Sequence, residues 1–162
     1  MSGYTRDVTQ LPVVDQPPPL SGALLEHLAR RIRLRAEAVL APLGLRPRHL
    51  VALTVLRVHG ECSQQALSAT LAMDGTNIVG LLNELETGEL IERRRSPQDR
   101  RRHIVEITDT GRALLAKAEF ALAAAEDEVL GALDRNQRET LNALLQQATA
   151  GELLVFTETG GA

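Results

Sequence analysis

The stretch Leu90-Ile91-Glu92-Arg93-Arg94-Arg95-Ser96-Pro97-Gln98-Asp99-Arg100-Arg101-Arg102-His103-Ile104-Val105-Glu106-Ile107 decides how this chain folds. Leu90 to Arg95 reads as a strand entering a turn. Ser96-Pro97-Gln98-Asp99 is turn chemistry, and His103 to Ile107 alternates as a returning strand. The product is a β-hairpin whose tip carries Arg93, Arg94, Arg95, Arg100, Arg101 and Arg102, six arginines within ten residues. Asp99 is the only acid among them, placed to orient one arginine by a bidentate ion pair, with Arg101 the expected partner. A two-stranded hairpin is marginal by itself in water, so this one has to lean on helices.

Those helices lie just upstream. Ser63 caps a short helix from Gln64 to about Thr70, with Ala66 and Leu67 facing inward. Asp74 caps the next, whose Ile78, Leu81, Leu82 and Leu85 form one apolar face and whose end is marked by Gly88. Two short helices joined by a tight turn and followed by a basic hairpin make a winged helix-turn-helix. The second helix offers Gly75, Thr76, Asn77, Gly80, Asn83 and Glu84 on its outer face, a width that fits the major groove of duplex DNA. Asn can pair with adenine and Thr can touch a thymine methyl or a phosphate. Thr76 and Asn77 lie near the N-terminus of this second helix, where backbone N–H groups favour phosphate, and Ser63, Gln64 and Gln65 at the start of the preceding helix are further candidates for DNA contact. No Arg or Lys lies on the outer face of the second helix, so the hairpin must supply the attraction. Arginine at a hairpin tip suits a narrow minor groove.

Further out, Ser21 reads as the cap of a first long helix carrying Leu24, Leu25, Leu28, Ile32, Ala36, Val39 and Leu40, closed by Pro42 and Gly44. Pro47 opens a second, with Leu50, Leu53, Val55 and Leu56, ended by Gly60. After the hairpin, Thr108-Asp109-Thr110-Gly111 starts a long helix with a seam of Leu115, Ala118, Leu122, Ala125 and Val129. Asp134 and Gln137 form a capping box for a last helix with Leu141, Leu144, Leu145 and Ala148. Residues 1–20, with Pro17-Pro18-Pro19, read as a flexible arm and residues 151–162 as a loose tail. The expected architecture is mainly α with a small β-hairpin wing.

Composition sets bounds. With two Phe, one Tyr and no Trp, the chain lacks the stacking platform of a single-strand binder and favours Leu- and Ala-rich helices. The formal net charge of −3 does not itself suggest nucleic acid; the local concentration of arginine does. It also leaves a second reading open, an interaction module that kept the fold and lost DNA reading. One cysteine, Cys62, excludes an internal disulfide and reads as a small packed residue, with a redox thiol as the alternative. His27, His49, His59 and His103 match no compact ligand spacing, so no metal or cofactor is expected. No nucleophile–base pair, phosphate-binding glycine loop or paired carboxylates appear, so no enzyme is expected. With no apolar run of about 20 residues and no visible signal peptide, a cytoplasmic protein without membrane contact is expected.

The run from Asp99 to Gly111 resembles the wing signature of the MarR (multiple antibiotic resistance regulator) family: Asp-x-Arg, five residues, an aliphatic residue, Thr, two residues, Gly. Leu81-Leu82-Asn83-Glu84-Leu85-Glu86 and Leu90-Ile91-Glu92-Arg93 resemble the end of that family's recognition helix and the strand after it. The resemblance spans residues 21–150, with 46–108 as the DNA-binding lobe and 21–41 and 109–150 as dimerisation helices. It departs where Glu89 stands at a position commonly Gly. The resemblance implies an obligate homodimer that places two recognition helices in successive major grooves of a pseudo-palindromic operator and regulates transcription, most simply as a repressor. It implies that Asp99 and Arg101 build the wing. It also implies a small aromatic or anionic effector, for which His27, Arg30, Arg31, His49 and Arg57 are candidate pocket residues.

Overall fold

The computed structural model describes residues 20–99 and 101–149. The expected arm and tail therefore lie outside the described residues, as does Arg100, apart from Leu20, which is exposed. The element order is α1 (Gly22–Leu40), a 3₁₀ turn (Ala41–Leu43), α2 (Pro47–His59), β1 (Cys62–Ser63), α3 (Gln64–Thr70), α4 (Gly75–Thr87), β2 (Ile91–Arg95), β3 (His103–Ile107), α5 (Asp109–Val129) and α6 (Arg135–Ala148).

Side-chain caps set most helix starts. Ser63 Oγ accepts the Ala66 N–H at 3.0 Å, Thr108 Oγ1 accepts the Gly111 N–H at 3.0 Å, and Asp134 and Gln137 satisfy each other's backbone donors at 2.9 Å. Ser21 differs from expectation. It is already helical in backbone and makes no side-chain cap; its carbonyl accepts the Leu25 N–H at 2.9 Å. At the end of α4 the left-handed position falls on Glu89 (φ 57°), while Gly88 has an ordinary φ of −79°. The α3–α4 turn likewise passes through Ala72 at φ 51°.

The expected hairpin is part of a three-stranded antiparallel sheet of order β1-β3-β2. Ile91 faces Ile107 and Arg95 faces His103 across the hairpin, while Cys62 and Ser63 add a two-residue edge against Val105 and Ile104. This resolves the hairpin's marginal stability: β3 is paired on both sides, and Ile91, Val105 and Ile107 are buried against the helices.

The core joins Leu40 at the end of α1, Leu53 and Leu56 of α2, Leu67 of α3, the Ile78–Leu81–Leu82–Leu85 face of α4, and Leu115 and Ala118 of α5. The α5 seam is filled within the chain, where α5 runs alongside α1 and also meets α2. Arg57 binds Glu119 with two bonds of 2.8 and 2.6 Å, tying α2 to α5. The start of α5 is also fixed onto the α4–β2 junction. Thr108 Oγ1 donates to the Glu89 carbonyl at 2.7 Å, and the Leu90 carbonyl takes the Thr108 N–H at 3.1 Å. By contrast, α6 buries none of its residues in its own chain.

Candidate nucleic-acid interface

The N-terminal turn of α4 is held by Asp74. Its Oδ1 accepts the N–H groups of Thr76 and Asn77, each at 2.9 Å, and its Oδ2 accepts Asn77 Nδ2 at 2.6 Å. The Asn77 N–H, followed by that amide and the Thr76 N–H, holds the Asp74 carboxyl below the usual carboxylate range. Thr76, Asn77, Gly80 and Asn83 are all exposed. Glu84 is not a free acid on this face. Arg48 Nη2 binds it bidentately at 2.6 and 2.8 Å, and His49 Nε2 lies 2.7 Å from Oε2. These bonds, with the His49 contact contributing most, keep the Glu84 carboxyl below its ordinary value.

The wing turn is built around Ser96, which is buried. Its Oγ accepts the N–H groups of Gln98 and Asp99 at 3.3 Å, and its own N–H reaches the Arg102 carbonyl at 2.9 Å. Asp99 orients the wing differently from expectation. Its Oδ1 accepts the backbone N–H of Arg101 at 3.0 Å, and its Oδ2 pairs with Arg102 Nε at 3.4 Å, so the Arg101 guanidinium is not its ion-pair partner. The carboxylate closes a tight Asx-type turn, which brings the backbone rather than the long side chain of residue 101 within reach.

The arginines divide by strand register. Arg93 stands opposite Val105 on the inward side of β2, where it meets α4: Nε donates to Glu86 Oε2 at 2.9 Å and Nη2 to Asn83 Oδ1 at 2.7 Å. That contact holds the Glu86 carboxyl below its ordinary value. Arg94, one residue on and facing the other way, pairs with Glu61. Arg95, Arg101 and Arg102 are exposed, and neither Arg95 nor Arg101 has an acidic partner among the described residues.

A cleft of about 340 Å³ brings Ser63, Gln64 and Gln65 of α3 together with Gly75 of α4 and Arg101 and Arg102 of the wing. His103 also lines it; in sequence it reads as part of the returning strand with no DNA contact, and its place at the first position of β3, next to the arginine-rich turn, was the available signal. The Arg101 and Arg102 guanidinium groups beside the start of α3 give this concavity the chemistry to hold an anion, whereas at the start of α4 Asp74 already takes the Thr76 and Asn77 N–H groups.

None of the five candidate pocket residues lines this cleft. His49 is buried and bound to Glu84, with its Nδ1 accepting the Arg46 N–H at 3.2 Å. Arg57 is bound to Glu119, and His27, Arg30 and Arg31 are exposed along α1. Among the described residues there is no group of three metal-ligating side chains, and no single helix is long and apolar enough to cross a membrane. Cys62 is half-buried on β1, and burial pushes its thiol pKa up, the opposite of what a reactive thiolate requires.

Residues 43–102, the lobe just described, match the model of the MarR family. The chain is 31% identical over 125 residues to the HTH-type transcriptional repressor NicR of Pseudomonas putida, covering 75% of this chain and 79% of that one. The chain belongs to the MarR family. Among solved structures, this MarR-family protein is similar to the transcriptional repressor CouR bound to a 23-mer DNA duplex. That likeness has a TM-score of 0.66 and 33% identity, over 80% of this chain and 92% of that one. Wild-type MarR from E. coli in its apo form shares the fold, with a TM-score of 0.70 at 21% identity over 83% and 98% of the two chains. The mostly helical architecture with a small antiparallel sheet is thus that of MarR winged-helix structures.

Proposed function

We propose that this MarR-family protein is a transcriptional repressor that binds a pseudo-palindromic operator in double-stranded DNA as a homodimer, without catalytic activity. The observation that carries the reading is the convergence of the start of α3 and Gly75 of α4 with Arg101 and Arg102 on one exposed cleft. A backbone phosphate of duplex DNA fits that chemistry. α4 then enters the major groove, while Arg95 and Arg101, exposed and without acidic partners, meet the flanking backbone or minor groove. Arg93 and Arg94 act through the protein, by fixing β2 to α4 and to Glu61. The similarity to a repressor bound to a DNA duplex supports duplex DNA as the partner.

The dimer is supported by apolar side chains left uncovered. Leu24, Leu34, Phe120 and Leu144 are between 58% and 81% exposed on α1, α5 and α6. A small aromatic or anionic effector belongs to this reading, with His27, Arg30 and Arg31 of α1 contributing where protomers meet. A DNA-binding role places the protein in the cytoplasm.

Fluorescence anisotropy against the promoter of its own gene tests the proposal. Binding at low salt that weakens steeply as salt rises is expected, and Arg101→Ala should bind less tightly. Absence of binding by the wild type, or unchanged binding by Arg101→Ala, overturns it.

A further inference from the structure

The outer face of α4 carries little free polar chemistry. Asn83 Oδ1 is held by Arg93 at 2.7 Å, Asn77 Nδ2 by Asp74 at 2.6 Å, and Glu84 by Arg48 and His49. Reading adenine with asparagine needs both ends of the amide at once, and in Asn77 and Asn83 one end already spends one of its two hydrogen-bonding positions within the protein. Between them lie Thr76, Val79 and Gly80. Val79 is three residues from Thr76 and four from Asn83, hence their neighbour on the helix surface. It is 39% exposed, although Ile78, Leu81, Leu82 and Leu85 already supply the core face.

Gly80 breaks a local rule. A glycine inside a helix weakens it relative to alanine. A Cβ at position 80 would meet nothing within 4 Å, and Gly80 is not among the positive-φ residues. Neither packing nor backbone conformation within the chain calls for glycine there. Its smallness serves a surface that comes from outside, beside an aliphatic side chain and a threonine methyl.

Resting on the DNA-binding reading above, we propose that Val79 is a specificity-determining residue. It reads the C5-methyl group of a thymine in the major groove, and Gly80 lets the helix backbone approach that base edge. The major groove displays this methyl at A·T pairs alone, and an aliphatic contact is what recognises it. Arg101 and Arg102 line the cleft with Gly75 at the start of the same helix, which sets the phosphate backbone at that end and turns the Thr76–Val79–Gly80 patch to the groove floor.

The test uses the full protein and the promoter fragment of its own gene, amplified with either thymine or uracil, which differ only in that methyl. The wild type should bind the uracil fragment at least about fourfold more weakly per half-site, the worth of burying the one methyl that Val79 reads. Val79→Ala, checked for folding by circular dichroism, should show a smaller difference between the two fragments. Equal affinity of the wild type for both fragments, or the same penalty in Val79→Ala, overturns the assignment while leaving DNA binding intact. Failure of the wild type to bind the thymine fragment at low salt overturns the DNA-binding reading itself, and this assignment with it.

Discussion

His49 Nε2 lies 2.7 Å from Glu84 Oε2 and joins α2 to the outer face of α4. Because His49 Nδ1 accepts the Arg46 N–H, the ring proton sits on Nε2 and is donated to the carboxylate. Glu84→Ala would leave that buried N–H without a partner and should destabilise the protein by about 1–2 kcal/mol in urea unfolding. The Glu84 carboxyl sits below its ordinary pKa when folded, so its contribution is present above the ordinary carboxylate value. It is lost as pH falls through the lower folded value. Stability measured from pH 7 downward should therefore fall less steeply in Glu84→Gln than in wild type; parallel acid limbs would show that the pair contributes nothing.

Gly111 is required by space. A Cβ there would lie 2.1 Å from the Leu90 carbonyl oxygen and 2.9 Å from Ile107 Cγ1. The first contact is with backbone that already accepts the Thr108 N–H, so it cannot yield cheaply. Gly111→Ala should cost roughly 3 kcal/mol and shift the junction of α5 with the wing. Thermal unfolding checks this, and an unchanged midpoint would show that the junction can open.

The parts of this architecture legible in the sequence are those fixed locally. The caps Ser63, Asp74 and Thr108 and the Asp134–Gln137 box each act within three residues, and the α4 core face follows from its helical period. Non-local pairing was hidden. β1 is two residues long and is defined only by its register with Val105 and Ile104. The fates of the arginines were equally hidden. Glu61 lies 33 residues from Arg94 in the chain, and no spacing rule connects them. Strand alternation would have separated Arg93 from Arg94, but not named their partners. His49 and Arg57 read as candidate pocket residues because a lone basic side chain looks the same whether it faces a ligand or a distant carboxylate; within the chain they meet Glu84 and Glu119.

The exposed face of α6 leads to a prediction about assembly. Leu144 is 58% and Leu145 39% exposed, and no residue of the helix is fully buried in its own chain. An amphipathic helix gains most of its stability from packing its apolar face, so a second subunit is the natural cover. Leu144→Glu combined with Leu145→Glu should sediment at the 17.6 kDa of one chain, with wild type at twice that mass. Operator affinity should fall on the order of a hundredfold, because two linked half-site contacts become independent. A variant that remains dimeric would exclude α6 from the interface.

Strand β2 and the wing turn lead to opposite expectations for two arginines. Arg101, exposed and without an acidic partner among the described residues, is available to neutralise DNA phosphate; Arg93 is already neutralised by Glu86 and only 20% exposed. Each phosphate contact contributes about −0.9 to the slope of log affinity against log salt. Arg101→Ala should therefore flatten that slope by about one per protomer while leaving the unfolding midpoint nearly unchanged. Arg93→Ala should do the reverse. Loss of its bonds to Glu86 and Asn83 should lower stability by about 1 kcal/mol, with the salt slope preserved. Salt-series anisotropy and denaturant unfolding on both variants decide the matter. If Arg93→Ala flattens the slope as much as Arg101→Ala does, the guanidinium of residue 93 leaves Glu86 for DNA, and the division between held and available arginines fails.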